Sequence, residues 1–216
     1  MSIVHGSFLR FAPAMLLALL VGCANDVQTA HDALPTTMPA SVDDWNHGLN
    51  HVDFMQTFQL LDYTKVIVLP ADTASVVLPP KDDNTFQPVV DTLSRTSSIF
   101  SAALSEKLRK TIPVETGSQP ESAKVLNIRL RVTVMDPGSQ AMRYWVGLGA
   151  GKAHTHIDGD IVDSASGRTL ASFKDDDYGS GGIFGGDYSG LLTNEVQTIG
   201  HNAGSLLEAF APATLQ

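Results

Sequence analysis

The chain has 216 residues, of which 43% are hydrophobic and 17% charged, and its formal net charge at pH 7 is −9. Such an acidic chain lacks the basic patch that would displace counterions from phosphate, so nucleic acid is an unsuitable partner. The same charge argues against electrostatic attraction to anionic lipid headgroups. The only cysteine, Cys23, excludes an intramolecular disulfide, so a hydrophobic core has to stabilise the single domain that this length allows.

Residues 1–22 are typical of a secretory signal. Arg10 is the only fixed charge before the apolar run 11–21. As a helix, that run would span about 16 Å, roughly half of a ~30 Å hydrocarbon core, so a stable membrane span is not expected.

The signal ends at a sequence that resembles a bacterial lipobox, Leu20-Val21-Gly22-Cys23. The resemblance implies that Cys23 carries diacylglycerol, commonly with a third acyl chain such as palmitate, and becomes the new N-terminus. Two or more acyl chains give durable membrane attachment, whereas one holds a protein only marginally. Since Ala24 follows in place of aspartate, we expect a lipid anchor in the outer membrane, facing the periplasm. The alternative is a soluble secretory signal that is cleaved near Ala24.

Residues 23–50 lack an apolar period and mix proline, threonine and aspartate, which predicts a flexible tether.

Residues 51–216 are expected to form one globular domain. A β-branched run at 65–70 predicts a strand that stops at Pro70. Apolar residues at helical spacing then predict a helix over 91–112, which Pro113 ends.

The second half of the domain predicts a sheet and a closing helix. Strict alternation of apolar and polar residues over 124–135 predicts a strand with one covered face. Two further strands, at 152–163 and 168–174, are separated by a turn typical of a hairpin. The spacing predicts a last helix over 191–210. The resulting expectation is an α/β (α+β) fold, a two-layer sandwich in which two helices cover one face of a mixed sheet of about four to five strands.

One stretch goes beyond a generic α/β pattern. The residues Arg143-Tyr144-Trp145 precede alternating glycines and Lys152-Ala153, and a strand and an Asp-x-x-x-Gly turn follow. This resembles an uncharacterised family of bacterial lipoproteins, a domain of unknown function. The resemblance covers about residues 60–207 and implies location and fold, but no activity.

The alternating glycines Gly147, Gly149 and Gly151 have two interpretations. In an extended segment they would leave one face open to a flat ring or another backbone, whereas at a bend they would supply a φ angle that other residues resist. Phosphate-loop and dinucleotide-binding motifs are incomplete, because Val146 and Ala153 stand where the first requires glycine and a hydroxyl residue. No complete catalytic set is found.

The strongest candidate for chemistry is a histidine- and aspartate-rich strand. His154, His156, Asp158 and Asp160 alternate, so in a strand they share one face, as metal ligands or acid–base groups would. The alternative is a solvated polar face, because two histidines need a third ligand and a shaped pocket before they hold a metal.

A second glycine-rich stretch places two apolar residues, Ile183 and Phe184, between glycine pairs. Exposed apolar residues in a loop often mark contact with a partner, although packing on the sheet edge is equally consistent. We therefore expect a lipid-anchored envelope protein that is non-enzymatic and binds another envelope component. The residues expected to shape that surface are Arg143, Trp145, Gly147, Gly149, Gly151, Ile183 and Phe184. No cofactor is expected beyond the covalent lipid, and a metal-binding protein or metal-dependent enzyme is the alternative.

Overall fold

A computed structural model of the chain describes residues 40–46, 48–118, 124–138, 151–179 and 187–211. These residues build one mixed sheet and two long helices. Seven strands lie in the order β1-β2-β7-β6-β5-β3-β4. Their bounds are β1 Ser41–Trp45, β2 Leu49–Phe54, β3 Lys65–Val68, β4 Val114–Thr116, β5 Val125–Asp136, β6 His154–Asp163 and β7 Thr169–Asp177.

The helices cover one face of this sheet. Helix α1 (Phe86–Leu108) contacts β3, β4 and β5, and helix α2 (Tyr188–Glu208) contacts β2, β6 and β7. The two helices also pack closely on each other, because Gly200 and Gly204 leave room for Ala103 and Lys107 of α1. Neither helix in the described residues is long and apolar enough to cross a membrane.

The core lies between the helices and the inner sheet face. Leu130 and Ile157 are buried on neighbouring strands, and Phe173 lies over the cross-strand position Gly159. A Cβ at Gly159 would collide with that ring, so the glycine makes the space in which Phe173 packs against Phe100. The predicted alternation of β5 is confirmed from Leu126 to Val132: the apolar residues at even positions face the helices, and Arg129 and Arg131 are exposed on the other face. Val134 lies on the open face instead, because a β-bulge between Val132 and Val134 shifts the register.

The expected strand number was wrong, although the α/β class is correct: the sheet has seven strands and not four to five. Two of the additional strands, β1 and β2, lie at 41–54 and overlap the segment 23–50 that was expected to be a tether. The third, β4, follows Pro113. β1 and β4 are short edge strands whose residues are mostly exposed. Their sequences therefore lack the alternation of apolar and polar residues that predicts a strand.

Candidate functional site

One end of the sheet gathers the boundaries of both glycine-rich stretches. β5 and β6 are antiparallel and their last pair is Asp136 with His154, while β7 ends beside Thr155 at Asp177. The carboxyl ends of β5 and β7 therefore meet the amino end of β6, and we call this the loop end. The chain leaves the loop end at Gly138 and returns to it at Gly151. It leaves again after Gly179 and then continues into α2.

The first of these exits is fixed by two glycines. Gly138 and Gly151 both have φ +69, the left-handed conformation that favours glycine. A Cβ on Gly138 would collide with the carbonyl oxygens of Gly151 and Lys152. The Gly138 N–H also donates to the Asp136 carboxylate at 2.8 Å. The residues at which the chain leaves the loop end and returns to it are therefore in close backbone contact.

The second exit is fixed by a buried carboxylate of α2. Glu195 accepts hydrogen bonds from the Thr155 hydroxyl at 2.5 Å and from the Gly179 N–H at 2.7 Å. Residue 187 marks the return: the Asp187 carboxylate accepts from the Ser189 and Gly190 N–H groups and caps α2. Both boundaries of the segment 180–186 are therefore held by side chain to backbone hydrogen bonds.

Two acids in this region are almost completely buried. Burial raises the pKa of Glu195 from its ordinary value of 4.5 to about 7, against the opposing effect of its hydrogen bonds from Thr155 and Gly179. Burial also raises the pKa of Asp175 to about 6, although its carboxylate accepts a hydrogen bond from Asn202 of α2 at 2.9 Å. Each residue is only 1% exposed. Glu195 is therefore partly protonated at neutral pH.

A groove of about 780 Å³ opens at the same end. Residues 133–138, which include the last four residues of β5, line it together with residues 77–79 and 83–85 and with Tyr188 of α2. Val77 is 88% exposed and Leu78 is 44% exposed, so two large aliphatic side chains stand in solvent at the groove. Exposed apolar side chains beside a concave surface are a common mark of a contact site.

The predicted histidine and aspartate face is partly assembled. His154 and His156 both contact one oxygen of Asp176, Oδ1, at 2.7 and 2.8 Å, and His156 also lies 3.3 Å from Asp158. Asp160 does not join them, because it lies farther along β6, opposite Arg129. Within the described ranges no three His, Cys, Asp or Glu side chains are placed to hold a metal ion.

The open face beside these histidines carries a row of charged side chains. Neighbouring strands align Asp43, His51, Lys174, Asp158, Arg131 and Asp72 in register. Hydrogen bonds to Asp43 and Asp53 raise the pKa of His51, which favours its cationic form in this row. Opposite charges at facing positions of a sheet stabilise pairing. Strand register therefore explains why several charged side chains lie together on this face.

Several predicted site residues cannot be placed. Cys23, Arg143, Trp145, Gly147, Gly149, Ile183 and Phe184 lie outside the described residues, whereas Gly151 lies at the loop end. Sequence reasoning missed Glu195 and the exposed Val77. It considered Asp176 only within the acidic run 175–177, as a weak calcium site or a solvated turn, and did not connect it with the histidines. Glu195 had a signal: it is an acid between Leu192 and Ile199 on the apolar face of the predicted helix.

Comparison with known proteins identifies a family. The model of the domain of unknown function DUF4410 matches residues 70–182, just over half of the chain. The chain belongs to this family. No curated protein matches.

The solved structures that the chain matches are distant in sequence. PelC from Paraburkholderia phytofirmans, solved as a dodecamer, is 11% identical, with a TM-score of 0.43 over 70% of this chain and 96% of that one. A DUF330 protein from Xanthomonas campestris is 12% identical, with a TM-score of 0.42 over 67% of this chain and 84% of that one.

Proposed function

We propose that this DUF4410 protein is a lipid-anchored envelope protein that binds another envelope protein at its loop end and catalyses no reaction itself. The observation that carries the binding role is the pair of exposed aliphatic residues, Val77 and Leu78, on the wall of the groove. Removing such surface from water on binding is favourable by about 25 cal/mol per Å². The lipobox-like sequence ending in Cys23 supports the anchor, and Ala24 supports an outer-membrane location.

Site-specific crosslinking in cells tests the binding role. A photo-reactive amino acid at Val77 should capture a partner protein. The same amino acid at Leu61, which is 41% exposed on the short 3-10 helix Leu60–Asp62, is the matched control and should not capture it. Equal capture from both positions, or none from Val77, would remove the loop end as the binding surface.

The anchor is tested separately with labelled palmitate. We expect the wild-type protein to incorporate label and to fractionate with the outer membrane, and Cys23→Ser to do neither. A wild-type protein without label would contradict the anchor and leave the crosslinking result unaffected.

Metal binding remains the second candidate, and no described contact favours it. The two imidazoles that the sequence places on one face converge on Asp176, as hydrogen-bond partners of a single carboxylate oxygen. Among the described residues no three such side chains are placed to hold a metal ion, so this alternative stays an expectation from the sequence that added zinc tests.

A further inference from the structure

Strand β5 extends beyond the strand that pairs with it on one side, β3. Towards β6 it is paired to its last residue, Asp136. Towards β3 it pairs only along Val125–Ile128, and residues 69–72 then continue alongside it. The last backbone hydrogen bond on this side runs from the Val132 N–H to the Asp72 carbonyl oxygen at 2.8 Å.

Beyond Asp72 the segment that runs beside β5 turns away from this strand. The Ala74 N–H donates to the Asp72 carboxylate at 3.0 Å, and the Val76 N–H donates to the Thr73 carbonyl oxygen at 3.1 Å. The Ser75 hydroxyl then caps the Val132 carbonyl oxygen at 3.1 Å. In the part of the chain that the structure describes, no strand pairs with Thr133–Asp136 on this side.

The groove occupies the place where the missing strand would lie. It is lined by this edge of β5 and by the segment 77–79, which is not part of a described strand and in which Pro79 lacks an N–H. Four residues of β5 offer an edge about 13 Å long, at ~3.3 Å per residue. The exposed side chains of Val77 and Leu78 flank the space.

A β-bulge between Val132 and Val134 lies at the start of this edge. Bulges can protect an edge by twisting it away from other chains. Here the extra residue places Val134 on the open face opposite His156 and Met135 in the core opposite Thr155. The strand then continues in register to Asp136, so backbone groups of alternate residues still point into the groove.

The charge of the groove restricts the partner. Its described lining contains two acids, Asp83 and Asp136, and no lysine, arginine or histidine. Hydrogen bonds from the Thr85 N–H at 2.8 Å and hydroxyl at 2.7 Å hold the pKa of Asp83 below its usual range, so this carboxylate stays charged. A partner with basic side chains would complement both acids.

We propose that the free edge of β5, Thr133–Asp136, pairs with an extended peptide segment of another protein that carries aliphatic and basic side chains. Main-chain hydrogen bonds to β5 supply affinity, and contacts with Val77, Leu78 and the two acids supply selectivity. This inference rests on the proposed partner-binding function and names the kind of partner.

The test uses the full-length protein and a capped eight-residue peptide of alternating valine and lysine. Two derivatives carry backbone N-methyl groups, one on every valine nitrogen and the other on every lysine nitrogen. Because alternate N–H groups of a strand point to opposite edges, one derivative should bind at least tenfold more weakly than the other. Hydrogen exchange at Thr133–Asp136 should slow when the unmodified peptide binds.

Two protein variants and one peptide variant complete the design. Val77→Asp should weaken peptide binding about tenfold or more, whereas Leu61→Asp, remote from the groove lining, should not change it. Replacing every lysine of the peptide with glutamate should abolish binding. Equal affinity of the two methylated derivatives would overturn strand pairing.

The outcomes separate this inference from the function on which it rests. If Val77 captures a partner in cells but the two methylated peptides bind equally, the binding surface stands and strand pairing is wrong. If Val77 captures nothing, the proposed function itself fails. Capture of a second copy of this chain would overturn the choice of occupant.

Discussion

Replacing Glu195 with glutamine should reduce the pH dependence of stability between about pH 6 and pH 8. Glu195 is 1% exposed, and burial raises its pKa from 4.5 to about 7. Between these values the folded protein holds a proton that the unfolded chain has released. The free energy of unfolding therefore falls as pH rises from about 4.5 to about 7, and then levels off.

The magnitude follows from the two pKa values. The full fall is about 3 kcal/mol, of which about 1.3 kcal/mol lies between about pH 6 and pH 8. Asp175, with a pKa of about 6, contributes less in that interval because most of its own fall lies below about pH 6. The Glu195→Gln variant would keep the local contacts, since the introduced amide oxygen can accept from the Gly179 N–H and the amide N–H can donate to Thr155.

Urea unfolding at a series of pH values measures this effect. From about pH 6 to pH 8 the wild-type protein should lose about 1.3 kcal/mol more than Glu195→Gln does, because Asp175 and His51 contribute alike to both proteins. Glu208→Gln, a change at a 37% exposed position of the same helix, should behave as wild type. Parallel curves for wild type and Glu195→Gln would refute the argument that Glu195 is protonated in the fold.

Three further predictions concern the loop end and the histidines. Gly138→Ala should destabilise the protein by about 3 kcal/mol or more in urea unfolding, because strain at positive φ adds to a collision with Gly151. Gly167→Ala has the same φ but open space around it, so it should cost only about 1 kcal/mol, and equal costs would contradict the collision. Asp187→Ala should cost about 1 kcal/mol through loss of the α2 cap, and an unchanged unfolding midpoint would argue against that role. Added zinc should leave the melting temperature unchanged, whereas a rise that His154→Ala abolishes would favour the metal site.

The parts of the fold that could be predicted are those in which one face of an element is buried. β5 alternates from Leu126 to Val132 because alternate residues meet the helices, and the sequence shows that period. β1 has the opposite character: Asp43 and Asp44 are exposed, and pairing with β2 holds the strand in place. A strand defined by its partner has no period of its own, so β1 was expected to be part of a tether.

The same distinction applies to the candidate site. The alternation of His154 and His156 predicts that they share a face, and both do contact one group. That group, Asp176, comes from β7 and depends on strand register, which the sequence does not reveal. Val77 was missed for a related reason: its exposure depends on where the chain turns away from β5.

The two ends of the sheet differ in the burial and hydrogen bonding of their polar groups. This difference supports the loop end as the site of the proposed binding function. At the opposite end the β6–β7 turn is closed locally, since Asp163 accepts from the Ser166 N–H at 2.6 Å and from the Tyr63 hydroxyl at 3.0 Å. At the loop end the fold buries Glu195, which lowers stability at neutral pH, and that acid holds Gly179 where the chain leaves β7. Exposed Val77 and a stretch of β5 that no described strand pairs with on the β3 side lie at the same end. Stability alone does not explain these features, and the exposed Val77 and the β5 edge are what the proposed pairing with another chain needs.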